Sequence, residues 1–162
     1  GYFFESFNRN TFLAQTGIKI DFIQDNQSLS KKGVLRGLHF QRNEAAQAKL
    51  VRVLKGRVLD VAVDLRKSSS SFGKHIAMEL SENSRTQLFV PRGFAHGFAV
   101  LSEEAVFFYK CDNYYDKNSE GGIVFNDADL AIDWQLPPSE IILSEKDKVL
   151  PRFAEVINIL NF

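Results

Sequence analysis

The stretch on which the fold turns is Lys49-Leu50-Val51-Arg52-Val53-Leu54-Lys55-Gly56-Arg57-Val58-Leu59-Asp60-Val61-Ala62-Val63-Asp64. Two runs rich in β-branched and aliphatic residues flank Lys55-Gly56, a pattern that predicts a hairpin with a tight glycine turn. Upstream, Ile18, Ile20 and Phe22 alternate with Lys19, Asp21 and Ile23 as a strand over 18–24, and the polar Gln24-Asp25-Asn26-Gln27 reads as a turn. Downstream, strands are expected over 74–80, 87–90, 94–101 and 105–112, with a short extended piece at 123–125. Helix is sparse: one short helix over 10–15 stopped by Gly17, and a terminal one over 151–160 with Phe153, Val156, Ile157 and Leu160 at helical spacing. Many short strands with little helix predict an all-β sandwich or barrel. The need to close or cover strand edges favours a double-sheet jelly roll that can hold one small ligand.

A chain of 162 residues is expected to form one domain with a real core. Twenty basic and twenty acidic residues cancel, which excludes a broad electrostatic attraction to nucleic acid or anionic membrane. The single cysteine, Cys111, excludes an intramolecular disulfide, fits a reducing compartment and reads as a small core residue. There is no apolar run of about 18 residues and no leader pattern. The chain opens at Gly1 in strand-like sequence, so a short upstream segment is expected to be missing. Fifteen phenylalanines exceed what such a core needs, and some are expected at a subunit interface or a ring-stacking site.

The chemistry starts at Gly33-Val34-Leu35-Arg36-Gly37-Leu38-His39-Phe40-Gln41. Side chains alternate along a strand, so Arg36 and His39 belong to opposite faces unless a bulge near Gly37 brings them to one cavity. Of three histidines, His75 reads as a solvated edge residue, and His96 as a buried structural group or a ligand donor. His39 becomes a base near neutral pH if a carboxylate holds its other nitrogen. Asp60, Asp64, Asp112, Asp133 and Asp147 are all candidates for that partner. Tyr109 is either a core aromatic or an acid opposite the base, and Lys49 and Arg36 are cations on apolar strands. Only scattered histidines are present, so no metal is expected.

Taken together, residues 33–41, 48–53, Gly56, 60–66, 71–73 and 90–98 resemble the dTDP-4-dehydrorhamnose 3,5-epimerase family. Tyr109-Lys110, Asn113-Tyr114-Tyr115, Asn126-Asp127 and residues 143–147 extend the resemblance nearly end to end. It implies a cupin-like jelly roll, a cytoplasmic homodimer with no cofactor, and a role in dTDP-rhamnose and polysaccharide biosynthesis. The implied reaction inverts C3 and C5 of dTDP-4-dehydro-6-deoxy-D-glucose. By motif, His39 resembles the base, Asp147 its carboxylate, Tyr109 the opposing acid, and Lys49 and Arg36 the polar residues that hold the sugar and its 4-keto oxygen. Glu5, Gln24, Asp25, Asn26, Arg36, His96, Glu120 and Lys146 fall where the family contacts the nucleotide sugar. Tyr115 resembles the residue that stacks on thymine. The family pattern also places an arginine immediately before the position of Gly1. The competing readings are a 3- or 5-epimerase or keto-isomerase in the same fold, a sugar-nucleotide binder without activity, and a metal-dependent dioxygenase.

Overall fold

In a computed structural model describing residues 1–160, the expected double-sheet all-β architecture is formed. Nine strands run in order: β1 Gln24–Lys31, β2 Leu35–Gln41, β3 Lys49–Lys55, β4 Arg57–Asp64, β5 His75–Ser81, β6 Leu88–Val90, β7 Phe94–Val100, β8 Glu104–Cys111 and β9 Glu120–Gly122. Two short helices, α1 Arg9–Thr16 and α2 Phe153–Val156, stand outside the sheets. One sheet has the order β1-β8-β3-β6 and the other β5-β4-β7-β2-β9.

The decisive stretch is two strands, but not a hairpin. β3 pairs with β6 and β8, whereas β4 pairs with β5 and β7. Gly56, at φ 78°, turns the chain from one sheet into the other. The reason lies in β4, which is buried from Val58 to Asp64 on both faces. Such a strand needs neighbours on each edge and layers above and below, and it finds them in the centre of a sheet. One face, with Val58, meets Val51, Val53, Phe98 and Phe107 between the sheets. The other, with Leu59, Val61 and Val63, is covered by Trp134, Phe153, Val156 and Leu160 of the C-terminal segment.

The first strand also differs from expectation. Residues 18–23 form no strand: Phe22 packs edge-on against Phe7 and Phe12, and Ile20 is buried. The strand is β1, whose polar residues look like a turn. Its inward positions are polar, Gln24, Asn26 and Ser28 half-buried and Ser30 buried, so its alternation is invisible to hydropathy. α1 ends at Gly17 as expected, with φ 71° and its N–H donated to the Leu13 carbonyl. The terminal helix is shorter than expected and gives way to a 3-10 turn at Ile157–Ile159. The glycine pair in β9 is itself strand: a side chain at Gly121 would meet the Phe40 ring within 2.5 Å. Phe7, Phe12, Phe22 and Phe89 account for part of the phenylalanine excess by binding the N-terminal arm and α1 to the sheet.

Candidate active site

Between the sheets, beyond the Phe98–Phe107 stack, lies a cavity of about 410 Å³. The bulge anticipated near Gly37 is present. β2 pairs with β7 at Arg36 and again at His39, with a register shift between them. Gly37 takes φ 116°, and the Gly37–Leu38 peptide is cis. The register shift between Arg36 and His39 brings both to the same cavity.

His39 Nε2 lies 2.5 Å from Asp147 Oδ1. Asp147 opens a 3-10 turn, and its second oxygen accepts from Ser144 Oγ at 2.8 Å. Asp147 is 2% exposed. Burial alone would raise its carboxyl, but the bonds from His39 and Ser144 outweigh burial and hold it below its ordinary value. Of the five aspartates that local sequence left open, the other four are engaged elsewhere. Asp64 binds Arg66, Asp112 binds Arg92, Asp133 accepts from the Gln135 N–H, and Asp60 binds His96.

Lys49 and Tyr109 stand together on the opposing sheet, with the Lys49 ammonium 5.6 Å from the tyrosine ring centre. Desolvation lowers the lysine, against the pull of Cys111, Asp60 and Glu120. Burial raises the phenol, with Arg36 working against it, so Tyr109 keeps its proton at neutral pH. At the mouth, the Tyr115 hydroxyl donates to Glu120 at 3.0 Å, and Lys146 pairs with the other Glu120 oxygen. Burial would raise Glu120, yet Lys146 and Tyr115 bring it below its usual value.

The cavity thus gathers His39, Asp147, Tyr109, Lys49, Asn26, Arg36, His96, Tyr115, Glu120 and Lys146. Three expected contacts lie outside it. Gln24 is next to the site, accepting from the Tyr115 N–H at 3.2 Å. Asp25 points to the other face of β1, as strand alternation requires, and pairs with Lys110 at 3.1 Å. Glu5 lines a separate groove beside α1 and accepts from Asn8. Ser144 also lines the cavity and sequence reasoning did not assign it, although the Ser144-x-x-Asp147 spacing was a usable signal. Cys111 is fully buried and its thiol is pushed up to about 11 by desolvation, which suits a packing role. Among the described residues no three His, Cys, Asp or Glu side chains converge as a metal-ligand set. No helix among them is long and apolar enough to cross a membrane.

A base held by a carboxylate, a protonated phenol and a desolvated ammonium around one cavity are the parts of proton transfer next to a carbonyl. Comparison with known proteins gives this arrangement its family. The family model described as dTDP-4-dehydrorhamnose 3,5-epimerase matches residues 1–155. The chain belongs to the dTDP-4-dehydrorhamnose 3,5-epimerase family. An epimerase of that name from Salmonella typhimurium is 54% identical over 160 residues, covering 97% of this chain and 85% of the relative. The crystal structure of the epimerase from Elizabethkingia anophelis superposes with a TM-score of 0.92 at 59% identity, covering 96% of this chain and 85% of that one. The Legionella pneumophila epimerase, solved in complex with dTDP-4-keto-L-rhamnose, gives 0.91 at 46% identity, over 99% and 82% of the two chains.

Proposed function

We propose that this protein, acting as a single jelly-roll domain, converts dTDP-4-dehydro-6-deoxy-D-glucose to dTDP-4-dehydro-L-rhamnose by inverting C3 and C5. The observation that carries the reading is the His39–Asp147 pair sharing a cavity with Tyr109 and Lys49. Both carbons flank the C4 ketone, so both C–H bonds are acidified. His39 donates Nε2–H to Asp147, which leaves Nδ1 as the basic nitrogen for the substrate. It takes the proton from one face of the sugar, and Asp147 supports the imidazolium that forms. The electron pair moves onto O4, where the Lys49 ammonium stabilises the enolate. Tyr109 then gives its proton to the same carbon from the opposite face, which inverts the centre. Solvent re-protonates the phenolate and takes the proton from His39. The cycle repeats at the second carbon.

Binding roles follow from chemistry and position. Arg36, exposed at the cavity wall, meets a diphosphate. Asn26, His96, Glu120 and Lys146 hold polar parts of the nucleotide sugar, and Tyr115 offers a ring face to the base. Gln24 acts at one remove, by fixing the Tyr115 backbone. The reading includes a cytoplasmic homodimer. The unpaired Cys111 supports the first part; the second is supported by Tyr2 and Phe3, 72% and 97% exposed, and by Ile76 and Met78 exposed on edge strand β5. Light scattering checks the dimer, with the mass of a single chain as the contrary result.

Turnover of the 4-keto-6-deoxyglucose nucleotide in heavy water, followed by proton NMR of the product, tests the reaction. Two deuterons, at C3 and C5, are expected. Incorporation at one carbon only would make this a single-centre epimerase, and none would make it a binder.

A further inference from the structure

We propose that Asp60 is a positioning residue of this active site: its side chain holds the His96 ring by Nε2 and turns Nδ1 toward the sugar. The inference rests on the epimerase reading and names a group to which that reading gives no task.

Asp60 lies in the middle of β4, fully buried, with Val58, Leu59, Val61, Ala62 and Val63 around it along the strand. Across the ladder its partner is Phe98 on one side and Met78 on the other. A carboxylate there is costly to desolvate, and an apolar side chain of similar size would serve the fold as well or better. The register explains what the carboxylate reaches. His96 is opposite Ala62, two positions along the same face from Asp60, and that diagonal is within reach of long side chains. His96 Nε2 lies 2.9 and 3.0 Å from the two Asp60 oxygens. The imidazole also stacks on Phe107, with centroids 6.1 Å apart and planes 25° apart, and Phe107 is itself stacked on Phe98.

A ring held at one edge and along one face has a fixed orientation. With Nε2–H committed to the carboxylate, Nδ1 is its remaining polar atom. No described residue bonds to Nδ1, while His96 lines the cavity. In the neutral ring that atom is an acceptor, suited to a sugar hydroxyl. Asp60 also favours the charged form of Lys49, which burial opposes. The site therefore holds two histidine–carboxylate pairs on cross-strand partners, His39 with Asp147 and His96 with Asp60. The first moves protons and the second holds the sugar.

The test compares wild type with Asp60→Leu and Asp60→Asn in three measurements: steady-state kinetics, thermal melting, and proton–nitrogen NMR of the imidazole groups without substrate. Asp60→Leu is expected to melt at or above the wild-type temperature. It should lose the slowly exchanging His96 Nε2–H resonance and lower kcat/KM about 10- to 100-fold. Asp60→Asn keeps an acceptor but no charge, so it should retain the resonance and a near-normal KM while kcat falls. Unchanged kcat/KM in Asp60→Leu, or activity lost only in step with the folded fraction, would overturn the proposal. If Asp60→Leu does not fold, Asp60→Asn decides: a lowered kcat at unchanged melting temperature supports the role, and full activity ends it. Failure of the wild type to turn over the substrate would instead defeat the epimerase reading, while the resonance comparison would still report on Asp60.

Discussion

His39 and Asp147 are 108 positions apart in the chain and in contact in space. That separation is why local sequence could nominate His39 but not choose among five aspartates, and why the family resemblance was needed to name the right one. Tyr109 and Lys49 posed the same difficulty. Each sits on an apolar strand where packing is the ordinary explanation, and only the tertiary fold shows that both line a cavity. The pairing leads to a prediction. Asp147→Asn keeps the size of the side chain but removes its charge and permits the wrong imidazole tautomer. It should lower kcat by about 10³-fold or more with a much smaller change in KM. Steady-state kinetics on folded protein check this, and a kcat within a few-fold of wild type would remove Asp147 from the mechanism.

Strands were legible as strands wherever both or alternate faces were apolar, as in β4, β7 and β8. Pairing was not legible, because a glycine between two strands reads the same whether it closes a hairpin or turns a corner between sheets. Gly56 does the second. β1 does not read as a strand in the sequence because its inward residues are polar, with Asn26 and Ser28 lining the cavity, so the apolar alternation by which strands are found is absent. Gly37 shows the opposite case, a functional bulge that sequence did announce. A side chain there would sit 2.7 Å from both the His96 carbonyl oxygen and the Gly97 Cα, at a φ that disfavours any side chain. Gly37→Ala should cost about 3 kcal/mol in denaturant unfolding and reduce activity beyond the loss of folded protein, because β2 must move off β7. Wild-type stability would show that the strands do not need this close approach.

The loop after β4 makes a separate prediction. Asp64, 1% exposed, accepts from Arg66 at 2.9 and 2.8 Å and from Ser71 at 2.7 Å. Burial pulls its carboxyl up, but these bonds outweigh burial and hold it well below the ordinary range. A carboxyl depressed in the folded state stabilises the fold fully above its unfolded pKa of about 4, and that contribution fades as pH falls toward the folded value. Asp64→Asn should therefore be about 2 kcal/mol less stable at neutral pH. It should also lose less melting temperature than wild type between about pH 5 and pH 2. Parallel curves for the two proteins would contradict this assignment.

For the whole molecule, the fold class was legible while the site had to be assembled. Composition and strand count were enough to predict two sheets around a ligand-sized space. The site draws its parts from both sheets and from the segment around Asp147, so its assembly depends on the tertiary fold. The proposed mechanism divides its labour across that space, with His39 on β2 as the base and Lys49 on β3 and Tyr109 on β8 facing it. The most direct test of that division is deuterium uptake at C3 and C5 in heavy water, measured by NMR for His39→Ala and Tyr109→Phe beside wild type. His39→Ala is predicted to lose both uptake and inversion, whereas Tyr109→Phe keeps uptake, because His39 can return a solvent deuteron to the face it came from, but loses inversion. Continued uptake in His39→Ala, or normal inversion in Tyr109→Phe, would contradict a base and an acid on opposite sides of the sugar.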